Sequence, residues 1–370
     1  MATAKRSNRK RLRRKWRKYN PDKRNLIRHK VKLNQNVMVL ADHNGKTTIL
    51  APVSLNFKDG AEDTIVFLAT LRQEVLKGRV KNILIDLTSL EEISPAAAVV
   101  LLAELTRCIY YAGKIKKIIG NYPKTDRAAQ VLVDIGFFRA FGAKTPKCTL
   151  ENHGRVYIKT VFGNRSDGRY TSGLLKQFEE VCGLHPLASK RLYGALIECM
   201  DNVKGHAYPE FPGVRPDLSG EWWLCGFADP VRRQIAIVFY DLGEGIPTTI
   251  KRKRSVRIRS YLNFTDSRIL KRAVEVGLSS KDSHRRGTGL PSLRQFVDFA
   301  PSGFLRVMSG RGDIKYTRTS KKITSRDLKT PLQGSLIVWT IQESQLENGS
   351  SDVSDLDFNT DPVQLRFPYD

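Results

Sequence analysis

Glu198, Asn202 and His206 recur at four-residue intervals in a stretch whose apolar positions, Leu192, Leu196, Cys199 and Val203, repeat at helical spacing. The three polar residues therefore form one stripe beside the apolar face of a helix. A carboxylate one turn from an amide suits activation of a water or hydroxyl beside a cation held by the amide oxygen. Taken alone, the same stripe also fits a solvated helix face. A second group follows the apolar run Ile235–Tyr240: Asp241, Gly243 and Gly245, then Pro247. A carboxylate at the C-terminal edge of a strand, with alternating glycines behind it, sets an acceptor beside backbone that a planar ligand can approach. The third group, Arg285, Arg286, Gly287, Thr288, Gly289 and Leu290, opens a helix. Amide groups at a helix start, with glycines and arginines, make a phosphate cradle. A plain glycine-containing helix entrance reads the same way.

The elements that must position these groups alternate along the chain, which places it in the α/β class. Short apolar runs at Val37–Leu40 and Thr48–Leu50 flank Asn44-Gly45 and predict a hairpin. Residues Thr64–Leu76 have helical periodicity, and Asn82–Leu87 reads as a buried strand. Ser94 and Pro95 open another helix, with Ser94 as its N-cap. A strand at Lys114–Ile119 and a helix at Asp126–Ile135 complete a first domain, residues 36–142. A linker, 143–154, leads to a second domain, 155–342. There the expected elements are strands at Arg155–Thr160, Glu221–Phe227, Gln234–Tyr240, Phe304–Ser309 and Ser335–Ile341. Helices are expected at Gly173–Cys182, Ser189–Lys204 and Leu290–Phe299. Ile246–Arg286 is basic and poorly patterned, and Arg311-Gly312-Asp313 reads as a hairpin turn. Cys182 and His185 have metal-ligand spacing but no second ligand pair, which argues against a metal site.

In this order and spacing, the three groups resemble the GHKL family of ATP-binding domains, over residues 155–342. The Glu198–Asn202–His206–Tyr208 pattern is most similar to the anti-sigma-factor serine kinases within that family. The resemblance implies an α/β sandwich with a mixed sheet and helices on one face. It implies that Asn202 holds Mg2+ bridging the phosphates of ATP, that Glu198 is the catalytic base or orienting group, and that Asp241 receives the adenine amino group. Gly243 and Gly245 would shape the adenine pocket, with Ser335 near the base. Arg286, Gly287, Thr288, Gly289 and Leu290 would contact phosphate beneath a long basic lid, 247–286. The first domain, with Ser94 and Pro95 at its helix start, resembles STAS domains, the anti-sigma-factor antagonists. Aligned on Asp86 and Leu87, Pro95 stands at the usual phosphoacceptor, which favours Ser94 as a cap on a scaffold and leaves it the only nearby candidate acceptor. The implied function is a regulatory Mg-ATP-binding protein, an ATPase or a protein Ser/Thr kinase, acting by nucleotide-dependent partner switching. The alternative is a non-enzymatic, nucleotide-switched protein that binds nucleic acid.

Composition bounds the partners. The 370 residues carry a net charge of +26, unevenly spread. Residues 1–34 hold fifteen Lys/Arg and one acid, whereas residues 343–370 hold seven acids and one Arg. Residues 1–35 read as a basic disordered arm, whose cations at positions 5–32 would meet nucleic acid or another polyanion. Residues 343–370 read as an acidic disordered tail. A protein partner or substrate is expected, and a homodimer is compatible with the sequence. No uninterrupted run of about 18 apolar residues is present and no secretory signal follows the basic start, so no membrane contact is expected. Five scattered cysteines, without paired spacing, point to a reducing, cytoplasmic setting.

Overall fold

The computed structural model describes residues 37, 39–41, 46–76, 82–112, 117–148, 155–164, 184–208, 221–229, 233–252, 263–276 and 290–342, with short helical pieces between 171 and 180. The expected arm, the tail and the Arg286–Gly289 loop lie outside the described residues.

In the N-terminal part, β1 (Val39–Ala41) pairs antiparallel with β2 (Lys46–Leu50), as the hairpin signal predicts. β2, β4 (Asn82–Asp86) and β6 (Lys117–Gly120) then run parallel, in the order β1-β2-β4-β6. A small parallel pair, β3 (Ser54–Leu55) and β5 (Glu92–Ile93), lies apart from that sheet. The helices are α1 (Ala61–Leu76), α2 (Pro95–Ala112), α3 (Asp126–Asp134) and α4 (Phe137–Ala140). Ser94 caps α2, its Oγ accepting the Ala97 amide at 3.2 Å.

The C-terminal part is built on a five-stranded sheet in the order β10-β11-β9-β8-β7. Its strands are β7 (Val156–Gly163), β8 (Trp222–Asp229), β9 (Gln234–Asp241), β10 (Ser302–Thr317) and β11 (Lys322–Gln342). All four pairings are antiparallel, so among the described residues the sheet is not the expected mixed one. The helices of this part that pack on the sheet lie on one face, and α1 and α2 of the N-terminal part close the other. Leu224, Ile237, Phe239, Ile337 and Trp339 pack under α5 (Pro186–Asn202) and α8 (Pro291–Phe299). Trp223, Cys225, Tyr240 and Leu336 point the other way and share a core with Phe67 of α1 and Leu101 of α2. The alternation of neighbours between two cores explains why β8 and β9 are apolar at nearly every position. Glu62 at the start of α1 also accepts the Lys329 and Thr330 amides of β11, at 2.6 and 3.2 Å.

Two further expectations change. The basic segment contains two helices, α6 (Ile246–Arg252) and α7 (Asp266–Val276). Ile269, Leu270, Ala273 and Val274 of α7 are fully buried, so this part of the expected lid is packed structure. Arg311-Gly312-Asp313 is no turn. It lies inside β10 at a bulged register, where Asp313 is buried between Arg306 and Arg326 at 2.7 Å from each. Finally, α2 passes the length and composition test for a membrane span, with 18 residues at mean hydropathy 1.3. Its Glu104 and Arg107 interrupt the apolar run without lowering that mean enough. The helix is 72% buried inside the protein, as a core helix must be.

Candidate functional site

Asp241 is the last residue of the central strand β9, and only 5% of its surface is exposed. The register sets it opposite Trp222 of β8 and Ser335 of β11. Its Oδ1 accepts the Gly243 amide at 2.8 Å, and Ser335 also hydrogen-bonds the carboxylate. Burial outweighs those bonds and pushes its pKa up to about 7. A buried carboxylate with a neighbouring hydroxyl is an acceptor set suited to an exocyclic amine.

The backbone after Asp241 makes a tight turn held from three sides. Leu242 donates its amide to the Tyr208 hydroxyl at 3.2 Å, and that hydroxyl donates to the Glu221 carbonyl at 3.2 Å. Glu244 donates its amide to the Ala207 carbonyl at 2.9 Å. Gln333 donates to the Gly243 carbonyl at 2.9 Å. A β-carbon at Gly243 would stand 2.5 Å from that of Ala207, so this glycine admits the neighbouring chain. Gly245 has φ +87°, and its β-carbon would meet Ser309 Oγ at 2.8 Å. The close approaches at both glycines are thus made by the protein's own atoms. Ser309 Oγ donates to the Gly334 carbonyl and accepts the Ile246 amide, at 2.8 and 2.9 Å.

Glu198 and Asn202 stand on the last turn of α5, which continues as a π-helical turn, Val203–Ala207. Asn202 Nδ2 donates to Glu198 Oε1 at 3.2 Å, confirming that the two side chains share a face. That bond uses the amide nitrogen and leaves Oδ1 as the acceptor of the side chain. Burial raises the Glu198 pKa, against the Asn202 hydrogen bond and with Asp201 adding to the rise. Buried Cys199 feels both carboxylates: after burial itself, Glu198 and Asp241 are what raise its thiol pKa. The π-helical turn that continues α5 meets the turn after β9 through Ala207, which accepts the Glu244 amide and abuts Gly243. His206 contributes its carbonyl, which accepts Thr249 Oγ1 at 3.3 Å and Arg252 Nη2 at 3.3 Å. His185 caps α5, its Nδ1 accepting the Leu187 amide at 3.2 Å.

The structure thus pairs Glu198 with Asn202 and gathers Asp241, Gly243, Gly245 and Ser335 at the end of β9, the two groups being joined through Ala207. Leu290 begins α8 and packs partly buried against the adjoining cores. Arg286, Gly287, Thr288 and Gly289 fall outside the described residues. Sequence reasoning passed over Ser309, Gln333 and the clamping role of Tyr208, because each acts through partners 13 to 90 residues away. Among the described residues, no cluster of three or more His, Cys, Asp or Glu could hold a metal unaided. A single amide oxygen still fits Mg2+, which keeps most of its ligands from water or phosphate. No protein-family model matches the chain, and no curated protein matches it.

Proposed function

We propose that the chain is a regulatory Mg-ATP-binding protein, in which a GHKL-type nucleotide domain (155–342) follows a STAS-like domain (36–142). The observation that carries this reading is that the helix bearing the hydrogen-bonded Glu198–Asn202 pair ends, through Ala207, against the turn that follows Asp241. Asp241 and Ser335 supply acceptors for the adenine amino group. Asn202 Oδ1 supplies one protein ligand to Mg2+, which when bound neutralises phosphate charge. Glu198, held by Asn202 and raised in pKa by burial, accepts a proton from water or from a protein Ser/Thr hydroxyl. The reading extends to nucleotide-dependent exchange of a protein partner, with the basic arm contacting a polyanion.

Equilibrium titration with a fluorescent ATP analogue, with and without Mg2+, tests it. Saturable binding that Mg2+ strengthens and unlabelled ATP displaces is expected. Incubation with γ-labelled ATP then separates the reactions, label appearing as free phosphate for an ATPase or on protein for a kinase. Failure to bind an adenine nucleotide at millimolar concentration would overturn the reading.

A further inference from the structure

A cavity of about 450 Å³ opens between the α3–α4 corner and the start of the edge strand β7. Phe138, Val156 and Tyr157 give it apolar walls, and Arg139, Arg155 and Lys159 line it against one carboxylate, Asp134. Asp134 is already engaged, accepting Gln130 Nε2 at 2.7 Å. Arg155 is fixed in place, its Nε donating to buried Asp229 at 3.1 Å. Lys159 lays its stem beside Gly136, which has φ +77° and no side chain to displace it. Arg139 and Lys159 are exposed. The cavity is therefore a partly apolar cleft with a surplus of cations on a folded floor.

It lies at the opposite end of the sheet from Asp241. Val156 pairs with Ala228, Ala228 with Ile235, and Ile235 with Ile341. β11 thus ends at Gln342 only three strand spacings from the cavity mouth, about 14 Å. Beyond it the chain carries Glu343, Glu347, Asp352, Asp355, Asp357 and Asp361, with no Lys or Arg through residue 361. Those 19 residues reach about 60 Å when extended, several times the gap. Leu356 and Phe358 flank Asp357, offering apolar groups to the cleft walls between acids.

We infer that this cleft is the docking site of the acidic segment 343–361 of the same chain, with Arg139, Arg155 and Lys159 receiving its carboxylates. Tethering beside the site makes the contact intramolecular, at millimolar effective concentration. The basic arm offers the same acids more charge, but the cleft holds its cations on a folded surface, so less ordering is needed there.

Carbodiimide coupling on the full-length protein tests this, because it joins an amine to a carboxylate only when the two are in contact. Peptide mapping of the monomeric product should show Lys159 linked to an acid within 343–361. The yield should fall at least about fivefold on raising salt from 50 to 500 mM, as exposed charges are screened. Arg139→Glu, an exposed change that leaves the Lys159 amine intact, should lower the same link by a similar factor. Links from the tail only to lysines 5–32, links found only in dimers, or no tail link to Lys159 would each overturn the inference. Unchanged thermal melting of Arg139→Glu would confirm that its loss of coupling is not loss of fold.

Discussion

Asp241 shows how one residue couples burial to chemistry. The carboxyl has an ordinary pKa of 3.8 in the unfolded chain and about 7 in the folded one. Folding therefore favours the protonated form. The stability this group contributes is complete below about pH 3.8 and is lost as pH climbs towards 7. Accepting a ligand amine needs the opposite form, the carboxylate. Adenine-nucleotide affinity should consequently rise between pH 6 and pH 8, and Asp241→Asn should flatten that rise relative to wild type. Calorimetric titrations at four pH values would show it. An equal pH profile for both proteins would place the acceptor elsewhere. Glu198, by contrast, was legible in its spacing alone, since four residues along a helix bring a side chain back to the same face.

Among the elements, the strongest constraint sits where β11 passes the site. Gly334 has φ +77°, and a β-carbon there would collide with the Asp241 carbonyl. Gly334→Ala should cost at least about 1–3 kcal/mol from left-handed strain, with the collision added. Gly194, inside α5, meets nothing within 4 Å, so Gly194→Ala should stabilise by about 0.5–1 kcal/mol. Urea melts of the pair would test this; equal effects would contradict the geometry. Local signals served most elements well. Asn44-Gly45, the Ser94 cap and the Ile235–Tyr240 run all marked what the structure forms. The misses were of two kinds. In α7, Ile269, Leu270, Ala273 and Val274 have helical spacing, but the basic residues around them hid it. The β10–β11 hairpin tolerates buried charge because Asp313 takes both Arg306 of its own strand and Arg326 of β11, which no single stretch reveals. The unbroken apolar runs of β8 and β9 did carry a sign of two covered faces, since a strand with one solvated face alternates.

Taken whole, the two parts of the chain share a core, because α1 and α2 close one face of the sheet that carries Asp241. At that junction Glu104 is buried between Arg72, at 2.8 Å, and Arg107. Burial works against the Glu104 carboxylate, but Arg107 and Arg72 outweigh it and hold its pKa below the usual range. Glu104→Ala would strand a buried guanidinium at a cost of about 3–5 kcal/mol. Because the core is shared, the loss should appear in a single melting transition that carries both parts of the chain. Two separated transitions, with only the first part destabilised, would contradict that coupling.

In the proposed Mg-ATP site, Glu198, Asn202 and Asp241 would have three different duties. Calorimetry with Mg-ATP on wild type and on Asn202→Ala, Asp241→Asn and Glu198→Ala, beside a turnover assay, tests it most directly. Asn202→Ala should lose about tenfold or more of the Mg2+-dependent affinity, and Asp241→Asn a similar factor for adenine nucleotides over other triphosphates. Glu198→Ala should bind nearly as wild type while any turnover falls by about 10²–10⁴-fold. Wild-type Mg-ATP affinity in Asn202→Ala, or no binding by the wild-type protein, would contradict the account.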